Sequence, residues 1–286
     1  MNQIKYFIDL TRLKKPIGFM LLFWPCAWGL TLAYDFSSSL NIYFFYLILF
    51  FLGAVFMRSA GCIINDILDK EFDAKVLRTK NRPIASGHIS IKLGIFYALT
   101  LCLLALLVLL NFNFYTIILA FASMPLAFTY PLMKRFTYWP QLFLGITFNW
   151  GIVMAWVAIN NDISIGMIIL YLSAIFWTLG YDTIYGAQDM SEDEIIGVKS
   201  TSIKFKKNLR LFIFLSYLIF IIGIFFVLRN YFGFNFMSLV YIIFLCSIFI
   251  QVKLFNILDS KKCLSLFKLN NFSGLTLFLT FLLINF

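Results

Sequence analysis

The sequence predicts an all-α protein, a polytopic bundle of helices that crosses a membrane repeatedly. Hydrophobic residues make up 62% of the 286 residues and charged residues only 13%, about half the charged fraction of an ordinary soluble domain. The apolar residues are gathered into runs of about 20, the length of a membrane-spanning helix. We expect no nucleic-acid partner, because the net charge of +10 comes from basic residues scattered among short loops.

Nine apolar runs are each long enough to form a transmembrane helix. The third and fourth runs are separated only by residues 111–114, but a single helix through both would be too long for one crossing. We therefore predict nine transmembrane helices in one domain, residues 1–286, with the lipid bilayer as surrounding partner. The runs are 16–33, 42–64, 93–110, 115–130, 139–159, 165–184, 209–228, 236–252 and 269–286.

The positions of the basic residues predict the orientation in the membrane, since cytoplasmic loops carry an excess of Lys and Arg. Nine crossings with a cytoplasmic amino terminus put the carboxyl terminus on the extracytoplasmic side. We expect a bacterial inner membrane, because no secretory or transit peptide is evident. In this arrangement 21 of the 23 Lys and Arg lie in the cytoplasmic segments 1–15, 65–92, 131–138, 185–210 and 253–268.

Two acidic segments stand out in this basic chain and together hold nine of its thirteen Asp and Glu residues. The first acidic cluster, residues 65–73, follows the second apolar run. The second acidic cluster, residues 182–194, follows the sixth run. Both therefore fall on the predicted cytoplasmic side. One interpretation is a pair of solvated helix ends, but two clusters at equivalent topological positions favour a shared role.

The spacing within each cluster suits a bound cation. In a helix continued through the first cluster, Asn65, Asp69 and Asp73 share one face, where carboxylates repel one another unless a cation lies between them. In a helix continued through the second cluster, Asp182, Asp189 and Asp193 likewise share a face. Mg²⁺ takes one or two carboxylates and completes its shell with water and phosphate oxygens. The predicted metal ligands are Asn65, Asp69, Asp73, Asp189 and Asp193, and the candidate catalytic acids are Asp66, Asp69, Asp73, Asp182, Asp189 and Asp193.

Basic and tyrosine side chains near the clusters are candidates for binding an anion. Arg58 lies seven residues before Asn65, on the same helix face, and a charge inside an apolar run usually points into the bundle. Arginine presents a fork that matches phosphate oxygens. The alternative is ordinary cytoplasmic positive charge, or snorkelling of Arg58. The candidate diphosphate- and substrate-binding residues are Arg58, Arg78, Lys80, Arg82, Tyr130, Lys134, Arg135, Tyr185 and Lys199.

At these motifs the sequence resembles the UbiA-type membrane prenyltransferase family. The family's first signature, NDxxDxxxD, is matched in full by residues 65–73, and its second is similar to residues 181–201. Arg-Thr-Lys-Asn-Arg-Pro at 78–83 and Lys-Pro-Ile-Gly at 15–18 resemble the 4-hydroxybenzoate branch of the family. Lys14 departs from the family pattern, which usually has an acid there.

The resemblance implies transfer of a polyprenyl group from polyprenyl diphosphate to the ring carbon ortho to the hydroxyl of 4-hydroxybenzoate, in ubiquinone biosynthesis. Mg²⁺ held by the two clusters would neutralise the diphosphate, and Arg58, Lys134 or Arg135 would hold the benzoate carboxylate. Two alternatives stay open: another acceptor, such as 1,4-dihydroxy-2-naphthoate or haem, and a cation transporter. Transporters place ionisable groups near the midplane, whereas these acids lie at helix ends.

Overall fold

The regular secondary structure of the residues that the structure describes is helical. The structure is a computed structural model, and it describes residues 2–75 and 79–285. Its regular elements are α-helices, with one short 3₁₀ turn at Lys206–Asn208. The helices are α1 (Asn2–Thr11), α2 (Ile17–Ala33), α3 (Leu40–Leu68), α4 (Lys70–Asp73), α5 (Ile91–Leu109), α6 (Phe114–Phe136), α7 (Pro140–Asn160), α8 (Ile165–Gly186), α9 (Met190–Ile196), α10 (Thr201–Lys204), α11 (Leu209–Leu228), α12 (Phe236–Leu254) and α13 (Ser260–Leu283).

Eight helices are long and apolar enough to cross a membrane, namely α3, α5, α6, α7, α8, α11, α12 and α13. They confirm the prediction of an all-α, multi-pass membrane protein. Helix α2 is also apolar but has only 17 residues. At 1.5 Å per residue it spans about 26 Å, slightly less than the hydrocarbon core of about 30 Å.

The chain turns between α5 and α6, where the sequence predicted a separation of two apolar runs. Asn113 caps α6, because its side-chain oxygen accepts a hydrogen bond from the N–H of Thr116 at 2.8 Å. The amide of Asn113 also donates to the carbonyl oxygen of Val157 on α7 at 2.8 Å. Asn113 therefore starts α6 as its N-cap and ties the turn to α7.

Three helices extend beyond the apolar runs that predicted them. Helix α3 continues to Leu68, α6 continues to Phe136, and α13 begins at Ser260 instead of residue 269. Helical hydrogen bonding continues there into polar sequence, whereas hydropathy marks only the apolar part of a helix. At the start of α13, for example, Asp259 accepts a hydrogen bond from the N–H of Lys262 at 2.8 Å. The charged residues near these helix ends therefore lie on helical backbone and not in loops.

Helix α2 packs closely against α7 and also contacts α3, α8 and α13. A Cβ atom on Gly29 would lie 2.7 Å from the carbonyl oxygen of Ile152, so no other residue fits there without a shift. Trp28 is fully buried, and its ring centroid lies 4.8 Å from that of Trp177 on α8. Small residues let helix backbones approach closely in a membrane, and here they hold α2 in the core.

A buried hydrogen-bond network joins α8 to α11, α12 and α13. The Asn270 oxygen accepts from the indole N–H of Trp177 at 2.9 Å, and the Asn270 amide donates to Gln251 at 2.7 Å. The Tyr217 hydroxyl donates to the same Gln251 oxygen at 2.6 Å. All four side chains are buried, so these bonds replace those that water would make. The network fixes α8, the helix that leads into the second acidic cluster.

Candidate active site

The first acidic cluster lies at the C-terminal end of α3, where the helix is interrupted. Helix α3 ends at Leu68, and α4 begins at Lys70 after Asp69, whose φ is −97° and ψ is 7°. The continuous helix considered in the sequence analysis is therefore corrected to two helices. The N–H groups of Asp69 and Asp73 still bond to the carbonyl oxygens of Asn65 and Asp69, at 2.9 and 2.8 Å. The one-turn spacing of these residues thus survives the break.

Two arginines neutralise the carboxylates of Asp66 and Asp73. Asp66 is only 2% exposed, and its two oxygens accept hydrogen bonds from Arg12 at 2.9 and 2.8 Å. One nitrogen of Arg82 donates to Asp66 at 3.1 Å and to Asp73 at 2.7 Å. Arg12 was not predicted as a site residue. A buried carboxylate requires a counter-charge, but the sequence does not indicate which basic residue supplies it.

The loop 79–90 presents Arg82 because it folds back onto α3. On one side of Arg82, the Thr79 hydroxyl donates to the carbonyl oxygen of Asp73 at 2.9 Å. On the other side, Ile84 and Ile89 are buried in a small apolar cluster that includes residues of α3 and α5. Anchors on both sides hold the loop, and the guanidinium of Arg82 is directed at the acids.

Lys134 connects the first acidic cluster to the segment that follows the second. It lies near the C-terminal end of α6, and its amine forms an ion pair with Asp69, whose side chain is 3% exposed. The guanidinium of Arg135 lies 3.6 Å from the same carboxylate. The backbone carbonyl of Lys134 accepts a hydrogen bond from the N–H of Lys199 at 2.9 Å. The first cluster and the segment that follows the second therefore lie at one end of the bundle, both in contact with the end of α6.

A cavity of about 210 Å³ lies at this junction. Phe72 lines it from the first cluster, Lys134 and Arg135 from the end of α6, and residues 196–198 from the segment after α9. Gly197 ends α9 with φ of +79°, a left-handed conformation that glycine adopts without strain. The cavity is thus bordered by the first acidic cluster and by the segment that follows the second, and it has two cations in its wall.

The second acidic cluster is also divided between two helices. Asp182 lies on α8, which ends at Gly186, whereas Asp189 precedes α9 and Asp193 lies within it. The shared face considered in the sequence analysis does not hold as a continuous helix. A Cβ atom on Gly186 would lie 2.7 Å from the hydroxyl of Ser202, so the chain returns closely against α8 at this point.

The segment after α9 is attached to α7 and α8 by buried polar contacts. The hydroxyls of Thr183 and Thr201 lie 2.6 Å apart, and the Gln141 oxygen accepts from the N–H of Thr201 at 3.0 Å. Ser202 donates to the carbonyl of Thr183 at 2.8 Å. The Lys-Ser-Thr sequence at 199–201 therefore holds the second cluster in place against the bundle.

Arg58 lies on α3 beneath the acids, among side chains from α6, α7 and α8. Its guanidinium carbon lies 5.2 Å from the ring centroid of Phe148, a cation–π distance. The Tyr130 hydroxyl and the Asp182 carboxylate lie close enough to interact with the charge of Arg58. The buried Nε atom of Arg58 has no hydrogen-bond partner within residues 2–75 and 79–285. The prediction that Arg58 points into the bundle is confirmed.

The remaining predicted site residues lie in different surroundings. Lys80 is exposed, and the ring of Tyr185 packs against Phe267 with 4.6 Å between centroids. The amine of Lys199 donates to the carbonyl oxygen of Phe136 at 3.2 Å. Lys199 thereby supplies a hydrogen bond to a carbonyl at the C-terminal end of α6, where the last carbonyl groups have no donor within the helix. Arg78 lies outside the described residues.

The described part of the chain contains no preformed group of three or more His, Cys, Asp or Glu side chains for a metal. In the first cluster the carboxylates are matched with basic side chains instead. The donor set nevertheless fits Mg²⁺, which needs only one or two carboxylates and takes its other ligands from water and phosphate. Asn65, Asp69 and Asp73 are the oxygen donors that this cluster offers.

Comparison with known proteins identifies the family. The model of the UbiA prenyltransferase family matches residues 22–278. The chain is 41% identical to a 4-hydroxybenzoate octaprenyltransferase of Francisella tularensis subsp. novicida (strain U112), over 97% of this chain and 96% of that protein. It is 48% identical to the mitochondrial 4-hydroxybenzoate polyprenyltransferase of Arabidopsis thaliana, over 74% of this chain. The chain belongs to the UbiA prenyltransferase family.

The mitochondrial relatives are longer proteins. The aligned region covers 52% of the Arabidopsis protein, so this chain spans about half the length of the mitochondrial relatives it matches. Solved structures show the same fold. The apo structure of a UbiA homolog from Aeropyrum pernix K1 has a TM-score of 0.75 at 21% identity, covering 92% of this chain and 97% of that one. A UbiA homolog from Archaeoglobus fulgidus, bound to GPP and Mg²⁺, has a TM-score of 0.73 at 16% identity, covering 98% and 99%.

Proposed function

We propose that this protein transfers a polyprenyl group from polyprenyl diphosphate to the ring carbon ortho to the hydroxyl of 4-hydroxybenzoate, in ubiquinone biosynthesis, with Mg²⁺ as cofactor. The observation that carries the proposal is the position of Lys134, which pairs with Asp69 of the first acidic cluster and accepts a backbone hydrogen bond from Lys199, in the segment that follows the second. An arrangement of carboxylates, cations and a cavity at one end of an apolar bundle suits a substrate with a charged head and an oily tail.

The similarity to named relatives supports the choice of substrates. Both the Francisella and the Arabidopsis relatives are 4-hydroxybenzoate prenyltransferases, and the first aligns over nearly its whole length. The Archaeoglobus structure holds a prenyl diphosphate and Mg²⁺. These findings favour 4-hydroxybenzoate over another aromatic acceptor. The location of the acids at helix ends favours a transferase over a cation transporter.

In this proposal the acids hold the metal and the cations hold the diphosphate. Mg²⁺, when bound, would neutralise the diphosphate and stabilise it as a leaving group. The ligands from the chain would be Asn65, Asp69, Asp73, Asp189 and Asp193. Arg82 and Lys134 already lie at these carboxylates, so their positive charges are available to phosphate oxygens as well. Lys80 would close over the diphosphate from the same loop, and Arg78 is expected from the sequence to bind it as well.

The bundle beneath the acids would shield the reacting carbon from water. Loss of the diphosphate leaves an allylic cation, which water would capture in an open site. The rings of Tyr130 and Phe148 pack against each other there, with 6.4 Å between centroids. Aromatic faces stabilise positive charge as well as excluding water. The acceptor ring carbon then bonds to this cation, and the ring proton passes to a base, for which the released diphosphate is available.

Arg58 is our candidate for holding the carboxylate of 4-hydroxybenzoate. Its buried Nε atom is not satisfied by any described residue, and an unpaired donor of this kind gains most from an anionic partner. Lys134 and Arg135, the other candidates, both contact Asp69. An acceptor bound at Arg58 would lie below the diphosphate, with its ring directed toward the prenyl carbon.

We further propose nine crossings in a single domain, residues 1–286, with the amino terminus cytoplasmic and the carboxyl terminus extracytoplasmic. Helix α2 would be the additional crossing, because it is apolar and ten of its residues are buried. The basic segments then lie on the cytoplasmic side together with both acidic clusters. The relation to a bacterial protein over 96% of its length favours a bacterial inner membrane.

The experiment that tests this proposal uses membranes containing the full chain. They are incubated with 4-hydroxybenzoate, a polyprenyl diphosphate and Mg²⁺, and the product is identified by its mass. We expect a prenylated 4-hydroxybenzoate and free diphosphate. A panel with 1,4-dihydroxy-2-naphthoate and haem serves as the acceptor control. Prenylation of one of those acceptors in preference to 4-hydroxybenzoate would overturn the assignment.

A further inference from the structure

Arg12 connects the segment before α2 to the first acidic cluster. Its Nη2 atom donates to both oxygens of Asp66, at 2.9 and 2.8 Å, across 54 residues of sequence. Its Nη1 atom donates to the backbone carbonyl of Asp9 at 2.6 Å. Arg12 has φ of +61°, a left-handed conformation that is uncommon outside glycine. The side chain is therefore held from two directions, by α1 and by α3.

The oxygens of Asp66 are engaged by guanidinium groups. One accepts from both Arg12 and Arg82, and the other accepts from Arg12. Only 2% of the surface of Asp66 is exposed. Its carboxylate therefore lacks the solvent access that a ligand of a hydrated metal ion needs. Asp73 completes the group by accepting from the same nitrogen of Arg82 at 2.7 Å. Two arginines thus alternate with two carboxylates.

We infer that Arg12 is a positioning residue for the transfer reaction. Arg12 holds Asp66, and Asp66 together with Asp73 fixes the guanidinium of Arg82 at the mouth of the site. This inference rests on the proposed function and assigns Asp66 to the support of Arg82 instead of to the metal. It goes beyond the predicted site residues, which did not include Arg12.

The charge balance explains why Arg12 matters. The two positive charges of Arg12 and Arg82 balance the two negative charges of the carboxylates. Arg82 is therefore shared between Asp66 and Asp73. Without Arg12, the buried charge of Asp66 has only Arg82 to compensate it, so Arg82 is drawn toward Asp66 and away from Asp73 and the diphosphate. Lysine at position 12 would restore the charge, but its single nitrogen could not replace the two guanidinium nitrogens that bond Asp66 and the carbonyl of Asp9 separately.

The test compares Arg12→Gln and Arg12→Lys with Lys14→Gln, which removes an exposed positive charge two residues away. We expect Arg12→Gln to lose about 10- to 100-fold in kcat/KM, the usual effect of removing a group that orients a site residue. The loss should appear in KM for the prenyl diphosphate and leave KM for 4-hydroxybenzoate unchanged. The kcat/KM of Arg12→Lys should lie between those of Arg12→Gln and the parent protein. That of Lys14→Gln should stay within about twofold of the parent protein.

Two further measurements separate positioning from a general structural effect. The double variant Arg12→Gln/Asp66→Asn should lose no more than the worse single variant, because both act through Arg82. Binding of inorganic pyrophosphate with Mg²⁺, measured by calorimetry, should weaken in Arg12→Gln but not in Lys14→Gln. Additive losses, or equal pyrophosphate binding in these two variants, would overturn the inference.

The outcomes also distinguish this inference from the proposed function. If the parent protein shows no prenyl transfer, the proposed function fails, and pyrophosphate binding alone decides the role of Arg12. If the parent is active and Arg12→Gln matches Lys14→Gln, only the inference fails. Should Arg12→Gln not fold, Arg12→Lys decides, and a loss below about twofold would refute the role of the two-nitrogen guanidinium in positioning Asp66.

Discussion

Replacing Lys134 by alanine isolates the positive charge that pairs with Asp69 of the first acidic cluster. The side chain of Lys134 pairs with Asp69, but its backbone carbonyl, which alanine retains, accepts the N–H of Lys199 at 2.9 Å. The segment after α9 therefore keeps its attachment in Lys134→Ala. What the variant loses is one positive charge next to a carboxylate that is 3% exposed.

The cost to stability follows from the burial of Asp69. Removing one partner of a buried ion pair costs about 3–5 kcal/mol. Lys134 is 27% exposed and Arg135 remains 3.6 Å from Asp69, so we expect a smaller loss, about 2 kcal/mol. The variant should therefore still insert and fold, with a melting temperature lowered by a few degrees.

The cost to catalysis should be larger. Removing a single group that stabilises developing negative charge lowers kcat by about 10²–10³-fold, or about 2.7–4 kcal/mol. Lys134→Ala removes such a group from the diphosphate, so we expect a loss in this range, with Lys134→Arg recovering part of it. The assay is the initial rate of prenyl transfer in membranes, normalised to folded protein.

A matched control is Lys92→Ala, which removes an exposed positive charge at the start of α5. Its rate should stay within about twofold of the parent. If Lys134→Ala keeps a near-normal rate while its melting temperature falls, then Lys134 serves the fold alone. That result would refute a diphosphate-binding role for this residue.

Four other predictions concern the metal, the topology and the core. Asp189→Ala should abolish prenylation while leaving the protein inserted, and near-normal turnover would contradict a shared metal site. EDTA should stop the reaction and added Mg²⁺ should restore it, so chelator-resistant activity would count against the cofactor. A reporter fused after Phe286 should be active on the extracytoplasmic side, and a cytoplasmic signal would disprove the nine-crossing topology. Asn270→Leu should destabilise the protein by about 1–3 kcal/mol, because the buried N–H of Trp177 loses its acceptor; an unchanged melting temperature would mean that the network adds nothing.

Local sequence was sufficient for the helical architecture and for the neighbourhood of the site. Apolar runs locate the membrane helices because a backbone in lipid must satisfy its hydrogen bonds within its own segment. The separation of α5 from α6 was predicted from the length of the combined apolar run. In the structure, Asn113 caps the start of α6. Helix ends were less well predicted, since α3 and α6 continue into charged sequence that hydropathy does not count as membrane.

Spacing along the chain was a poorer guide to the arrangement of the acids. Periodicity placed three residues of each cluster on one helix face, but both helices are interrupted, at Asp69 and after Gly186. Those breaks depend on what packs nearby, such as Ser202 against Gly186. Local propensity contains no information about such neighbours.

The sequence by itself determined the class of this protein, its helices and the two acidic clusters, because these depend on composition and on contacts within a turn or two. Only the tertiary structure decided which charges meet. Arg12 reaches Asp66 across 54 residues and Lys134 reaches Asp69 across 65. Many basic residues follow the helices on the same side, and in sequence they look alike. Burial selects among them, since a carboxylate removed from water is stable only beside the cation that the packing of the helices brings to it.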